Sequence, residues 1–121
     1  MGKLRTSKEC VALINETIEY YKNNDRAIRN GDCLYYDNGT GNMCAVGRCL
    51  EDPENYSDRV NNVKNLLQSE GDVMFQEKYR NYPSELWDEL QDFHDNSLNW
   101  NGRELTERGD KEARELRVNW T

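Results

Sequence analysis

The chain has 121 residues, a formal charge of -7 and only 36% hydrophobic residues, with a mean hydropathy of -1.09. That length makes one domain with a small core, residues 1–121, and self-association that hides further apolar surface makes a homo-oligomer one of the expected states. The acidic balance repels nucleic-acid phosphate, so direct DNA or RNA binding is not expected, while no run reaches the ~18 apolar residues that a membrane span needs. Residues 1–20 lack a signal-type apolar stretch, being interrupted by Glu9 and Glu16, so a cytoplasmic location with reduced cysteines is expected.

Thr6-Ser7-Lys8-Glu9 has the spacing of a capping box, in which a hydroxyl caps the helix and the glutamate reaches back. Cys10, Val11, Ile14, Ile18 and Tyr21 follow at helical steps, so a first helix is predicted to end near residue 23 at Asn23-Asn24-Asp25. Asn30-Gly31-Asp32 is a turn signal. Cys33 to Tyr36 is short, aromatic and strand-like, and Asp37 to Asn42 is a loop of residues that tolerate positive φ. Met43 to Val46 can return as a second strand and close a small β-hairpin near residues 33–46. The alternative, favoured for this stretch, is a short helix over Cys44 to Leu50 capped by Asn42, because Ala45, Val46, Cys49 and Leu50 then share one face.

Asp52-Pro53 breaks that element. Ser57 is placed to cap a helix carrying Val60, Val63, Leu66 and Leu67, ended by Gly71. Residues 72–82 are mixed, with Val73, Met74, Phe75, Tyr79 and Tyr82 as anchors. Pro83-Ser84 starts the clearest helix, running to about Asn96, with Leu86, Leu90 and Phe93 inward and Trp87 and His94 flanking them. Trp100 lies in the polar stretch Asn99 to Gly102, either tucked under the core or standing as an interface anchor. A last helix begins near Thr106 and carries Ala113, Leu116 and Trp120. The expected fold is α+β and mainly helical, four to five short helices packed around one small β-hairpin.

Four constellations bear on chemistry. Cys33, Cys44, Cys49 and His94 are enough ligands for a tetrahedral zinc site, but the gaps of ten and four residues and the lack of a Cys-x-x-Cys pair argue for packing as compact apolar groups. No cofactor is expected. A thiol nucleophile is the second: Cys44 at a helix start would meet unpaired amides, with His94 as base and Asp95 or Asp92 to orient it. The third is phosphate binding. Gly39-Thr40-Gly41 lacks the Lys-Ser/Thr of a phosphate loop and reads as a turn, yet Arg48 and Arg29 with Tyr35 and Tyr36 have the chemistry to grip a small nucleotide. The fourth is an acidic helix face, with Glu85, Asp88, Glu89, Asp92 and Asp95 at three- and four-residue steps opposite the apolar stripe.

The segments Cys33-Leu-Tyr, Cys44-Ala-Val-Gly-Arg-Cys-Leu50, Glu85-Leu-Trp-Asp-Glu-Leu-Gln-Asp-Phe-His-Asp95 and Leu105-Thr-Glu-Arg-Gly109 resemble a group of short proteins of tailed bacteriophages. The resemblance spans about residues 8–118 and carries over no catalytic residues. It implies an accessory factor that binds and disables a host enzyme, an antiviral defence protein or its signalling nucleotide. The expected function is therefore a non-enzymatic binder of a host protein or a small signalling nucleotide. Its binding residues would come from the acidic face over 85–95 and the Tyr35 to Arg48 segment. The alternative is a small cysteine hydrolase using Cys44 and His94.

Overall fold

Helix α1 spans Ser7–Asn23 in the computed structural model, which describes residues 4–29, 32–56 and 63–121, with backbone only at 28, 29, 32 and 33. Both halves of the expected capping box form: the Glu9 amide donates to Thr6 Oγ1 at 3.2 Å, and the Thr6 amide donates to Glu9 Oε1 at 3.1 Å. The buried stripe is Cys10, Leu13, Ile14, Thr17, Ile18 and Tyr21, so Leu13 takes the place that spacing gave to Val11.

Two-residue strands β1 (Ile28–Arg29) and β2 (Asp32–Cys33) form an antiparallel hairpin ahead of the predicted one. Between Cys33 and Val46 the expected pairing shrinks to a single bridge, Tyr36 to Met43. Asp37 organises the loop that replaces it. Its carboxylate accepts from the Gly39 amide at 2.9 Å, and its carbonyl accepts from Gly41 at 2.7 Å. The helical alternative is met in part, as a 3-10 turn at Gly47–Cys49. Its capping acceptor is the Cys44 sulfur, 3.2 Å from the Gly47 amide, and not Asn42.

Helix α2 is Val63–Glu70, after which Gly71 adopts a positive φ of 77°. The predicted cap Ser57 and the anchor Val60 lie outside the described residues. Helix α3 is Ser84–Asp95 and follows Pro83, whose fixed φ suits a helix entry. It is the central helix, packing against α1, α2 and a last helix α4, Glu107–Asn119. The Thr6 arrangement recurs at α4, where the Gly109 amide donates to Thr106 Oγ1 at 3.0 Å.

Strands β3 (Trp100–Asn101) and β4 (Glu104–Leu105) join α3 to α4 as a second hairpin, which the sequence reading took for a polar loop. Gly102 at φ 63° supplies its turn, and Trp100 is buried, with its indole N–H donating to Phe93 O at 3.3 Å. The described architecture is mainly helical α+β, as expected, with four α-helices and two short hairpins among the described residues. One hydrophobic cluster unites it, with Trp87 stacked on Phe75 at 4.4 Å between ring centres. Tyr21 meets His94 edge-on at 4.7 Å.

Candidate functional site

Arg48 projects from the 3-10 turn at Gly47–Cys49 into the space between α1 and the turn at Glu77–Tyr79, and its side chain is only 5% exposed. Nη1 reaches Glu16 at 2.8 Å and the Tyr79 hydroxyl at 3.2 Å, and Nη2 donates to Thr17 Oγ1 at 3.0 Å. The guanidinium lies over the rings of both Tyr20 and Tyr79, at 5.2 and 5.5 Å. Burial by itself would raise Glu16, but hydrogen bonds from Tyr79 and Arg48 outweigh it and hold the carboxyl below its usual range. Tyr79, which donates to Glu16, is pushed up to about 12 by burial and by that bond. The fork that would clasp a phosphate is thus committed inside the protein. Tyr35 is 2% exposed and belongs to the core, which leaves it no face for stacking on a base, and Tyr36 is half-buried. The Arg29 side chain lies outside the described residues.

Val46, Gln91, Asp95 and His94 are joined by one run of hydrogen bonds. The Val46 amide donates to Gln91 Oε1 at 3.2 Å, and Gln91 Nε2 donates to Asp95 Oδ1 at 3.1 Å. The same Asp95 oxygen is 2.7 Å from His94 Nδ1. A carboxylate only accepts, so the imidazole proton sits on Nδ1 and leaves Nε2 as a lone-pair nitrogen, buried and without a hydrogen-bond partner among the described residues. Desolvation lowers the His94 pKa despite Asp95, which pulls the other way. The sequence placed His94 at a boundary; it is instead 0% exposed.

Cys44 precedes the 3-10 turn at Gly47–Cys49, and its sulfur meets one amide of that turn, that of Gly47. Burial nevertheless wins over the Gly47 amide and Gln91, and the thiol is pushed up to about 12. Cys49 is also driven to about 12, with burial again the main cause. No direct hydrogen bond joins Cys44 to His94 among the described residues. The Cys33 side chain lies outside the described residues, and no described cluster of His, Cys, Asp or Glu has the geometry to hold a metal ion.

The acidic face stands on α3 and is set by the burial of the opposite side, where Leu86, Trp87 and Leu90 are 0% exposed. Glu85 and Asp88 keep 63% and 32% of their side-chain surface, and both lie 3.9 Å from Lys64, at the outer limit of an ion pair. Asp92 is exposed, yet its carboxyl is raised above the usual range, first by partial shielding from water and then by Asp88, Asp95 and Glu89. Asp95 is the exception on this face, since its carboxylate serves His94 and Gln91.

Between α3 and α4 the face continues into a cleft of about 250 Å³. Glu89 and Asp92 line it from α3, and Glu112, Glu115 and Arg108 from α4. Glu89 also accepts from the Trp120 indole N–H. Sequence reasoning missed Glu112, Glu115 and Gln91. Their helical positions were readable, but the side-by-side packing of α3 and α4 and the approach of Val46 to Gln91 are long-range facts. The sequence has no significant match among protein families or curated proteins, and the fold has none among solved structures.

Proposed function

We propose that this protein is a non-enzymatic binder that occludes a basic surface of another protein, as a small phage accessory factor would do to a host enzyme or defence component. The observation that carries this reading is the crowding of carboxylates on α3. Glu85, Asp88, Glu89 and Asp92 stand on one rigid helix, with Lys64 as a distant counter-charge to the first two. Like charges held this close cost free energy in the isolated protein, and a cationic partner relieves that cost on binding. The helix is anchored by fully buried side chains, so little ordering entropy is lost when a partner docks. Presenting carboxylates where a nucleic-acid-binding enzyme expects phosphate is one form of such occlusion. The committed Arg48 and the buried Tyr35 support this form over nucleotide sequestration, and the sealed Cys44 supports binding over thiol catalysis.

The test is capture from bacterial lysate with wild type and with Glu85→Lys/Asp88→Lys in parallel. A stoichiometric protein is expected on the wild type, reduced about tenfold by the double reversal and released at ~1 M salt, where screening acts over only about 3 Å. A partner held equally by both forms and indifferent to salt would overturn the reading.

A further inference from the structure

We infer that His94, Asp95 and Gln91 form an acid-sensitive latch that holds the Cys44–Val46 segment against the last turn of α3. The latch is a local device, and its opening leaves the rest of the fold in place. It does not depend on what the protein binds.

The geometry turns on one carboxylate oxygen. Asp95 Oδ1 accepts from His94 Nδ1 at 2.7 Å and from Gln91 Nε2 at 3.1 Å, and Gln91 Oε1 accepts from the Val46 amide at 3.2 Å. Val46 leads into the 3-10 turn at Gly47–Cys49, whose first amide donates to the Cys44 sulfur. A displacement of the imidazole therefore reaches the backbone at Val46 through successive hydrogen bonds.

The site suits the imidazole in one protonation state. His94 is 0% exposed, and Nε2 has no hydrogen-bond partner among the described residues. In the neutral ring that nitrogen is a buried lone pair. In the protonated ring it becomes a buried N–H without an acceptor, on a group that carries a charge. Among the described residues, the charged groups acting on the ring are Asp95 of α3, which favours the charged form, and Arg26, from the stretch after α1, which opposes it. Tyr21 of α1 meets the ring edge-on at 4.7 Å, and Cys44, on the segment being held, is buried in the field of the same Asp95. Burial outweighs Asp95 and puts the folded pKa of His94 below 6.5. The ring binds a proton more readily once it reaches water, so acid favours the open form.

Opening stays local because both sides of the latch are lightly held. His94 and Asp95 are the last two residues of α3, and the fully buried Leu86, Trp87 and Leu90 anchor the helix further back. Among the described residues, the stretch from Leu34 to Val46 carries one isolated bridge, Tyr36 to Met43, and no strand. Segments with so few ladder hydrogen bonds open at a lower free energy than the whole domain.

The experiment is amide hydrogen exchange of the whole chain, followed by NMR from about pH 6.5 to about pH 5, with and without dilute urea. Base-catalysed exchange through an opening that takes up no proton slows about tenfold per pH unit. The Val46 amide is expected to keep a nearly constant rate, because each unit of acid also raises latch opening about tenfold. Its protection should lie about tenfold or more below that of Ile14 and Ile18 in α1 and should not respond to dilute urea. In His94→Gln the Val46 rate should slow about tenfold per unit. Wild-type Val46 matching the protection of Ile14 and Ile18 at every pH would make the opening global and overturn the latch. Wild-type Val46 slowing tenfold per unit would remove the histidine from it and overturn it equally. Both of these readings come from the wild type, so they decide the matter even where His94→Gln does not fold.

Discussion

Cys44 shows two local effects in opposition. The Gly47 amide and Gln91 favour its thiolate, while complete burial disfavours it, and burial decides. With the thiol at about 12, native protein at about pH 8 holds almost no thiolate there. Alkylation by iodoacetamide, followed residue by residue by peptide mass spectrometry, should therefore leave Cys44 and Cys49 unmodified in the folded protein and modify both in urea. Rapid native labelling of Cys44 would revive the hydrolase alternative. Arg48 carries the same lesson in a charged group: in the sequence it reads as a free cation for phosphate, and in the fold it is a strut between α1 and the turn at Glu77–Tyr79.

Gly109 lies in the first turns of α4, where helix propensity alone would favour alanine by about 1 kcal/mol. A Cβ there would stand 2.0 Å from the Asn99 carbonyl oxygen, a backbone atom that cannot rotate away. Gly109→Ala is accordingly expected to destabilise by about 2 kcal/mol, read as a lower urea midpoint with an unchanged slope. The same contact sets how closely α4 approaches the Ser97–Asn99 turn, and so helps to shape the cleft above it. Gly47 plays the equivalent part in the Cys44 turn, where a Cβ would fall 1.8 Å from Tyr35 O. Both glycines hold close backbone approaches between segments ten and twelve residues apart, and only the packed structure gives a reason for them.

For the whole molecule, His94 couples stability to pH. It is buried as the neutral form, so its folded pKa lies below the ordinary value of 6.5, and the unfolded chain binds the proton more readily. The stability it contributes is complete above that value and is lost as pH falls from 6.5 toward the lowered folded pKa. The groups around it are Asp95, which favours the charged ring, and Arg26, which opposes it and also donates to the His94 carbonyl at 2.7 Å. Asp92 has the opposite sign, because its raised pKa means that the fold gains stability as pH falls toward 3.8. The difference between wild type and His94→Gln isolates the histidine. Thermal denaturation from about pH 8 to about pH 5 should show wild type losing midpoint with falling pH and the variant losing less. Parallel curves would mean that His94 titrates alike in both states.

The sequence by itself determined the local structure. Thr6-x-x-Glu9, Pro83-Ser84 and Thr106 mark helix starts because capping depends on residues within one turn, and the apolar steps of α1, α3 and α4 define their buried faces by helix geometry. The acidic face of α3 was legible for the same reason, since it is the complement of that stripe. Tertiary structure decided the rest. The stretch after Cys33 lost most of its predicted hairpin to the Asp37 turn and the Cys44 cap, while Trp100 and Leu105 paired where a polar loop was expected. Strands of two residues have too little periodicity to be read, and their pairing is fixed by what they pack against. Arg48 was committed to Glu16, Cys44 was sealed, and Glu112 and Asn99 were brought to the cleft beside Asp92. Arg48 with Glu16 and Glu112 with Asp92 join residues far apart in the chain, and the free energy that holds them together belongs to packing and desolvation, which no local pattern records.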